Sequence, residues 1–305
     1  ATRLVAMATM LSVGLLVLLP APSLLRGAVA PTRRAPVPRA CAADAPRWFV
    51  TVPRSLAGVS EQASRSVLGA TQAGERRMVV EASLPELDPT SPAFRYMELL
   101  AFVEQLGLNL LNSGALPRSR PHVKLLFCGG ADATLAGGAI TYTNLPVSVL
   151  GAQTSMGEQD GAFIFVAPRG GQGSGTAVGV EAAAAHVLAA AGNRPVVVVN
   201  PRLGGASTLE SSCKPVYVVR PLTVSYLEDS TAPSLSRGGA CLLRCFPHEW
   251  SVLADPFCIG VWSYVGRFDA RPSPTQLEGM LVAGMTDLRN RRFRDNAAAA
   301  ERERG

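Results

Sequence analysis

The chain has 305 residues, 48% of them apolar and 17% charged, which is enough for one large or two modest domains with a sizeable buried core. Its net charge of +6 at first sight suggests a nucleic-acid partner. Residues 1–43 carry five of the 29 basic residues and no acid, and without them 24 basic residues face 23 acidic ones. The remainder is close to neutral, and only Lys124 and Lys214 are lysines, so no basic stripe is left to track phosphates and no nucleic acid is expected as a partner.

The N-terminal part reads as an address. Leu4 to Leu19 is mostly apolar and ends at Pro20 and Pro22. It is short for a spanning helix, which needs roughly 20 residues, and suits the apolar core of a signal peptide. Arg26 to Ala43 is rich in Ala, Pro and Arg and lacks acids, as plastid transit segments do. Residues 1–46 together resemble the two-part address of a complex plastid, with Ala28-Val29-Ala30-Pro31 standing near the junction without its usual aromatic. A retained membrane anchor and a secreted protein stay open as alternatives. The body is expected over residues 47–295 as one α/β domain, with a frayed tail over 296–305.

Along that body, Ser55–Ala70 places Val59, Ala63, Val67 and Leu68 at helical spacing. Arg77–Ser83 is a strand. Ser91 is expected to cap a helix that has Pro92 at its first position and runs over residues 93–111, with Phe94, Met97, Leu100, Ala101 and Leu108 on its apolar side. His122–Cys128 is a buried strand and Gly129-Gly130 a turn. Residues 131–160 are dominated by small residues and show little pattern beyond a short strand within Leu145–Leu150.

The most informative stretch follows. Ala162–Pro168 is a continuous apolar strand, residues 169–175 hold four glycines, Val178–Ala191 is a helix, and Pro195–Val199 is a second apolar strand ending in Asn200-Pro201-Arg202. Two such strands joined by a helix make a βαβ unit in a parallel sheet covered on both faces. Lys214–Arg220 is a further strand, extended or paired by Leu222–Tyr226. Residues 228–239 read as a polar turn, Ala240–Phe246 and Glu249–Leu253 as strands joined around Pro247-His248, Ile259–Phe268 as another strand, and Thr275–Arg294 as a closing helix. The later strands lie close in sequence and are expected to pair antiparallel. The fold class is therefore α/β: a mostly parallel, Rossmann-like sheet with helices on both faces, an antiparallel C-terminal extension and a C-terminal helix.

Parallel sheets bind ligands at the carboxyl ends of their strands, so Arg169, Gly173, Gly175, Asn200 and Arg202 are candidate anion or nucleotide ligands. The loop is longer than a tight dinucleotide turn, the next strand ends in Asn200 where an acid would hold a ribose, and no P-loop lysine is present. A plain surface connection and an Asn-Pro turn are the competing readings. Cys241, Cys245, His248 and Cys258 resemble a metal set, but on a strand Cys241 and Cys245 stand about 13 Å apart, too far for one zinc. No metal is expected, and no cofactor other than a nucleotide at the glycine loop. The thiols read as reduced and mostly buried. Trp250 and Trp262 read as sheet packing or a partner contact, and Arg289 and Arg292, with Arg291 and Arg294, as helix-end charges or a docking site for lipid or an acidic partner. Glu81, Glu86 and Asp88 read as solvated loop acids that a strand end can gather.

Six ordered pieces carry a resemblance. They are Met78-Val79-Val80-Glu81 after the opening helix, Phe163–Pro168, Pro195–Leu203 with its Asn-Pro-Arg-Leu exit, Val216–Leu222 with Arg220-Pro221, Leu243–Trp250 with Arg244-x-x-Pro247-x-x-Trp250, and Arg271-Pro272-Ser273-Pro274. In this order, from Pro53 to about Leu281, the chain resembles a domain of unknown function of plants, algae and cyanobacteria. It is the domain of the Low-Photosystem-II-Accumulation type of assembly factor, also fused to some plastid adenylate kinases. The resemblance implies a non-enzymatic plastid protein, stromal or peripheral to the thylakoid. Its implied partners are photosystem II subunits or other assembly factors, and it carries over no catalytic residue.

Overall fold

The structure, a computed structural model, describes residues 51–151, 154–169, 176–203, 208–227 and 235–304. Helix α1 (Leu56–Gln72) starts at Ser55, whose Oγ accepts the Gly58 N–H at 3.2 Å. It buries Val59, Ala63, Val67 and Ala70. Strand β1 (Arg77–Ala82) follows, then a 3₁₀ turn (Pro85–Leu87). Helix α2 (Tyr96–Asn112) begins later than the sequence predicts, with Arg95 and not Ser91 at its N-cap. Ser91 instead caps a separate tight turn: its Oγ accepts the Ala93 N–H and its carbonyl the Phe94 N–H, while the Arg95 N–H is drawn off to the Glu86 carbonyl. The later start shifts the buried stripe to Leu99, Leu100, Phe102, Val103, Leu106 and Leu110, and leaves Met97 63% exposed.

Strand β2 (His122–Phe127) leads into helix α3 (Gly130–Ala139), where a turn was expected at Gly129-Gly130. This helix is built from Ala, Gly, Thr and Leu with one Asp, and buries only Ala136, which is why residues 131–160 show so little pattern. Strand β3 (Val147–Val149) lies in the same stretch. The central unit is strand β4 (Asp160–Val166), helix α4 (Thr176–Ala191) and strand β5 (Val196–Val199), followed by the short helix α5 (Thr208–Ser211). Strand β6 (Lys214–Leu227) is one unbroken strand. It pairs with strand β7 (Leu235–Cys245), so Leu235–Gly239 are strand where a turn was expected. Strands β8 (Trp250–Asp255) and β9 (Ser263–Phe268) complete the sheet. Residues 259–262 are not strand. The buried Asp255 carboxylate accepts the N–H groups of Phe257 and Gly260, at 3.3 and 2.6 Å, and holds the chain in a turn.

The nine strands form one sheet in the order β3-β2-β4-β5-β1-β6-β7-β8-β9. The pairs from β3 to β6 are all parallel and those from β6 to β9 antiparallel. The two apolar strands of the central unit lie side by side, from Phe163 opposite Val196 to Val166 opposite Val199. Alternation along the strands sends side chains to two faces. One face carries a single core under α1, α2 and α3. On the other, α4 and α5 cover one cluster with Val79, Phe163, Phe165 and Val198. A second cluster, with Val218, Leu242, Trp250 and Val252, lies under helix α6 (Pro274–Arg304) through Leu281 and Met285. Helix α6 opens with a reciprocal cap, in which the Ser273 N–H meets Gln276 Oε1 and the Gln276 N–H meets Ser273 Oγ. It runs to Arg304, beyond the expected end. Ala297–Ala300, the best helix formers, carry it through the stretch expected to fray.

Candidate functional site

The candidate residues of the sequence meet the structure at the carboxyl ends of β4, β5 and β1. Asn200 ends β5 with φ of 46° and is 2% exposed. Its Oδ1 accepts the Ala82 N–H at 2.7 Å and its Nδ2 donates to the Leu87 carbonyl at 3.2 Å. Asn tolerates this left-handed backbone better than most residues. The side chain thus pins the exit of β1 and the turn after it to the exit of β5, and both its polar ends are in use.

Arg169 and Arg202 lie beside one another, their backbones forming a parallel bridge in which the Arg202 N–H donates to the Pro168 carbonyl at 2.7 Å. Their side chains diverge. Arg169 pairs with Asp132 of α3 at 3.3 Å, and Arg202 pairs with Asp88 at 3.1 Å. Burial alone raises the Asp88 carboxyl, but hydrogen bonds from Thr90 and the charge of Arg202 outweigh it and hold the group below its ordinary value. Gly173 and Gly175 lie outside the described residues.

A second group, missed from the sequence, sits at the same strand ends. Glu81 is not a solvated loop acid; it is the last position of β1 on the face of α4–α6 and is 7% exposed. It accepts Arg271 through both oxygens, at 2.9 and 3.0 Å, and Arg220 of β6 at 3.1 Å. Asp88 is likewise held by an arginine, so two of the three acids read as loop solvation are ion-pair partners. The Arg271 guanidinium also lies 5.7 Å from the Trp250 ring, with that of Arg244 at 5.4 Å. Register explains the row: Glu81 is opposite Val218, Val218 opposite Arg244, and Trp250 opposite Phe268. Burial lowers the basicity of Arg220, and the like charges of Arg271 and Arg202 add to that, against the attraction of Glu81. The available signal was one acid near the end of a strand that is otherwise apolar after Arg77, together with an arginine in each of four of the pieces that carry the resemblance.

The tryptophans do not pair across a hairpin. Trp250 is 2% exposed in the core under α6 and presents no contact surface. Trp262 packs against the opposite core and lines a groove there of about 630 Å³. Val52, Leu84, Val219, Pro221 and Val261 line it too, and Ile259 and Val261 at its rim are 54 and 59% exposed. Val219 and Leu84 are chain neighbours of Arg220 and of the Glu81 strand exit, so groove and arginine cluster lie on opposite faces of the same strand ends. Arg289 and Arg292 are on α6, where they stack on Phe293 and Phe257, at 5.9 and 4.5 Å.

Cys241 and Cys245 lie on β7, and burial pushes each thiol up to about 12, away from the thiolate that a metal needs. Among the described residues no group of three or more His, Cys, Asp or Glu is placed to hold a metal ion, and no helix is long and apolar enough to cross a membrane. No solved structure matches the chain. The family model of a domain of unknown function, DUF1995, matches residues 53–279, the span that holds the whole sheet and every residue of the arginine cluster, and the chain belongs to that family.

Proposed function

We propose that this protein is a non-enzymatic auxiliary factor for the accumulation of photosystem II in a plastid, acting at the thylakoid by contact with a photosystem II subunit or another assembly factor. The observation that carries this reading is the open apolar groove between α1 and the β8–β9 turn. Its rim holds Ile259 and Val261 in solvent, and exposed apolar side chains of this kind mark contact sites. An apolar segment of a membrane-protein subunit, waiting to be inserted or packed, is the matching partner. The six ordered pieces that resemble the Low-Photosystem-II-Accumulation factors and the plastid-like composition of residues 1–46 support the same reading.

The test is co-migration of the tagged full chain with photosystem II intermediates under mild detergent. The expected result is recovery with an assembly intermediate, reduced at least tenfold by the double change Ile259→Asp and Val261→Asp. Both positions are exposed, so the fold is expected to survive. A protein that stays free in the stroma, in cells whose photosystem II accumulates normally without it, overturns the proposal.

A further inference from the structure

The core on one face of the sheet is continuous, whereas on the other it is split into a cluster under α4 and α5 and a cluster under α6. The split runs along β1 and β6. Val79 of β1 belongs to one cluster and Val218 of β6 to the other. At the carboxyl end of β1 the seam is interrupted by charge: Glu81 of β1 and Arg220, midway along β6, occupy the next positions on that face, before Leu222 and Val224 of β6 pack on the α6 cluster again. Arg271 reaches into the seam from the segment between β9 and α6, and Arg202 stands at the adjacent exit of β5, near enough for its charge to be felt at Arg220.

Among the described residues three guanidiniums therefore share two carboxylates, Glu81 and Asp88, which leaves one positive charge in excess. Holding three like charges together at a partly buried seam is unfavourable unless something else collects them. The four hydrogen bonds that Glu81 and Asp88 accept from these arginines occupy only some of the N–H groups that such side chains carry. All three arginine side chains keep exposed surface, from 30 to 43%. The carboxyl end of a parallel sheet, where helical covers diverge, is also where such sheets take ligands.

We infer that this seam is a phosphate-binding cleft in which Arg220 and Arg271 grip the phosphate oxygens, Arg202 supplies the third cation, and Glu81 fixes the first two guanidiniums at the spacing the ligand meets. A phosphate dianion matches the planar donor pairs of arginine better than a single carboxylate does, because it offers three acceptor oxygens and more charge. Arg169, whose guanidinium pairs separately with Asp132, is not part of the site, and the site does not depend on the proposed contact with photosystem II.

The experiment is calorimetric titration of the purified full chain at low ionic strength with inorganic phosphate, then with ADP, ATP and NADP. Saturable binding of phosphate is expected, weakened about tenfold or more in Arg220→Gln and less in Arg220→Lys, which keeps the charge but not the fork. Arg169→Gln is expected to bind as the parent does. A nucleotide binding more tightly than phosphate, with the same dependence on Arg220, identifies the phosphate as a nucleotide's. Equal affinities identify a phosphate carried by another molecule or free in solution. If Arg220→Gln is too unstable to titrate, Arg271→Lys and Arg202→Gln provide the same comparison. Absence of heat with all four ligands overturns the inference, as does binding lost in Arg169→Gln and kept in Arg220→Gln.

Discussion

Replacing Asn200 separates a structural from a ligand-binding reading of the Asn-Pro-Arg exit. Asn200→Ala removes the acceptor of the buried Ala82 N–H and the donor to the Leu87 carbonyl. Each buried group left without a partner costs about 1–3 kcal/mol. Alanine also meets the positive φ of 46° less readily than asparagine, at about 1 kcal/mol. The sum is a loss of about 3–7 kcal/mol, a large part of the stability of an ordinary domain. Asn200→Gly removes the same two hydrogen bonds but relieves the backbone, so it is expected to lose about 1 kcal/mol less. Urea unfolding followed by far-UV circular dichroism reads both, provided the slope with denaturant is unchanged. A loss below about 1 kcal/mol in Asn200→Ala would refute the account of Asn200 as a staple between β5 and β1. Glycine proving worse than alanine would refute its backbone part.

Three further measurements test other parts of the fold. A Cβ at Gly284 of α6 would run into the Val265 side chain of β9, whereas one at Gly279 meets open space. Gly284→Ala is therefore expected to destabilise by about 1–3 kcal/mol and Gly279→Ala to stabilise by about 0.5–1 kcal/mol, in the same urea assay; equal effects would mean that α6 does not pack on β9 as described. Of the cysteines among the described residues, alkylation at pH 8 with mass-spectrometric mapping should modify exposed Cys258 first and Cys128 more slowly. Cys213, Cys241 and Cys245 are buried, with thiols raised to about 11, 12 and 12, and should react only in denaturant. The Asp88 carboxyl is held below its ordinary value of 3.8, so in acid the unfolded chain takes up this proton before the folded one does. Its contribution is fully present above that value and is lost as pH falls through the lower, folded-state value. Stability of the parent should thus fall more steeply than that of Asp88→Asn below about pH 4, and run parallel to it above about pH 5.

What was legible in the sequence follows from where burial writes a pattern. Phe163–Val166 and Val196–Val199 are buried on both sides, so continuous apolar runs marked them, and with the intervening helix they fixed the parallel core. Helix α1 was legible because one apolar stripe meets one core. Helix α3 was not, because it buries little besides Ala136, and a helix with almost nothing to bury has no apolar period to detect. The first residues of β7 were hidden for a related reason: Leu235–Gly239 pair with Leu227–Thr223 at the far end of a hairpin, and the run Leu-Ser-Arg-Gly-Gly carries no apolar alternation to mark a strand. Arg169, Asn200 and Arg202 were found from their place at strand ends. Glu81, Arg220 and Arg271 were not, because an ion pair joining residues up to 190 positions apart leaves no local period.

The position of that ion pair bears on how the two halves of the sheet are held in one body. Strand β6 is the last parallel strand and the first antiparallel one, so it belongs to both halves, and on the face of α4–α6 the apolar clusters on either side of it are separate. Hydrophobic burial alone would let each cluster pack for itself, since it is non-directional. The Glu81 carboxylate is directional. It ties central β1 to β6 through Arg220 and to the entry of α6 through Arg271, whose guanidinium also covers Trp250 in the far cluster. A buried ion pair is a weak source of stability but a way to specify one arrangement over its neighbours. Here the residues so joined are Arg220 of β6 and Arg271 of the segment leading into α6. A ligand gripping Arg220 and Arg271, as inferred above, would act on the same linkage, so its binding is expected to affect the seating of α6. The apolar groove meets these strand ends from the opposite face, through Val219 and Leu84, which places it one residue from the same linkage.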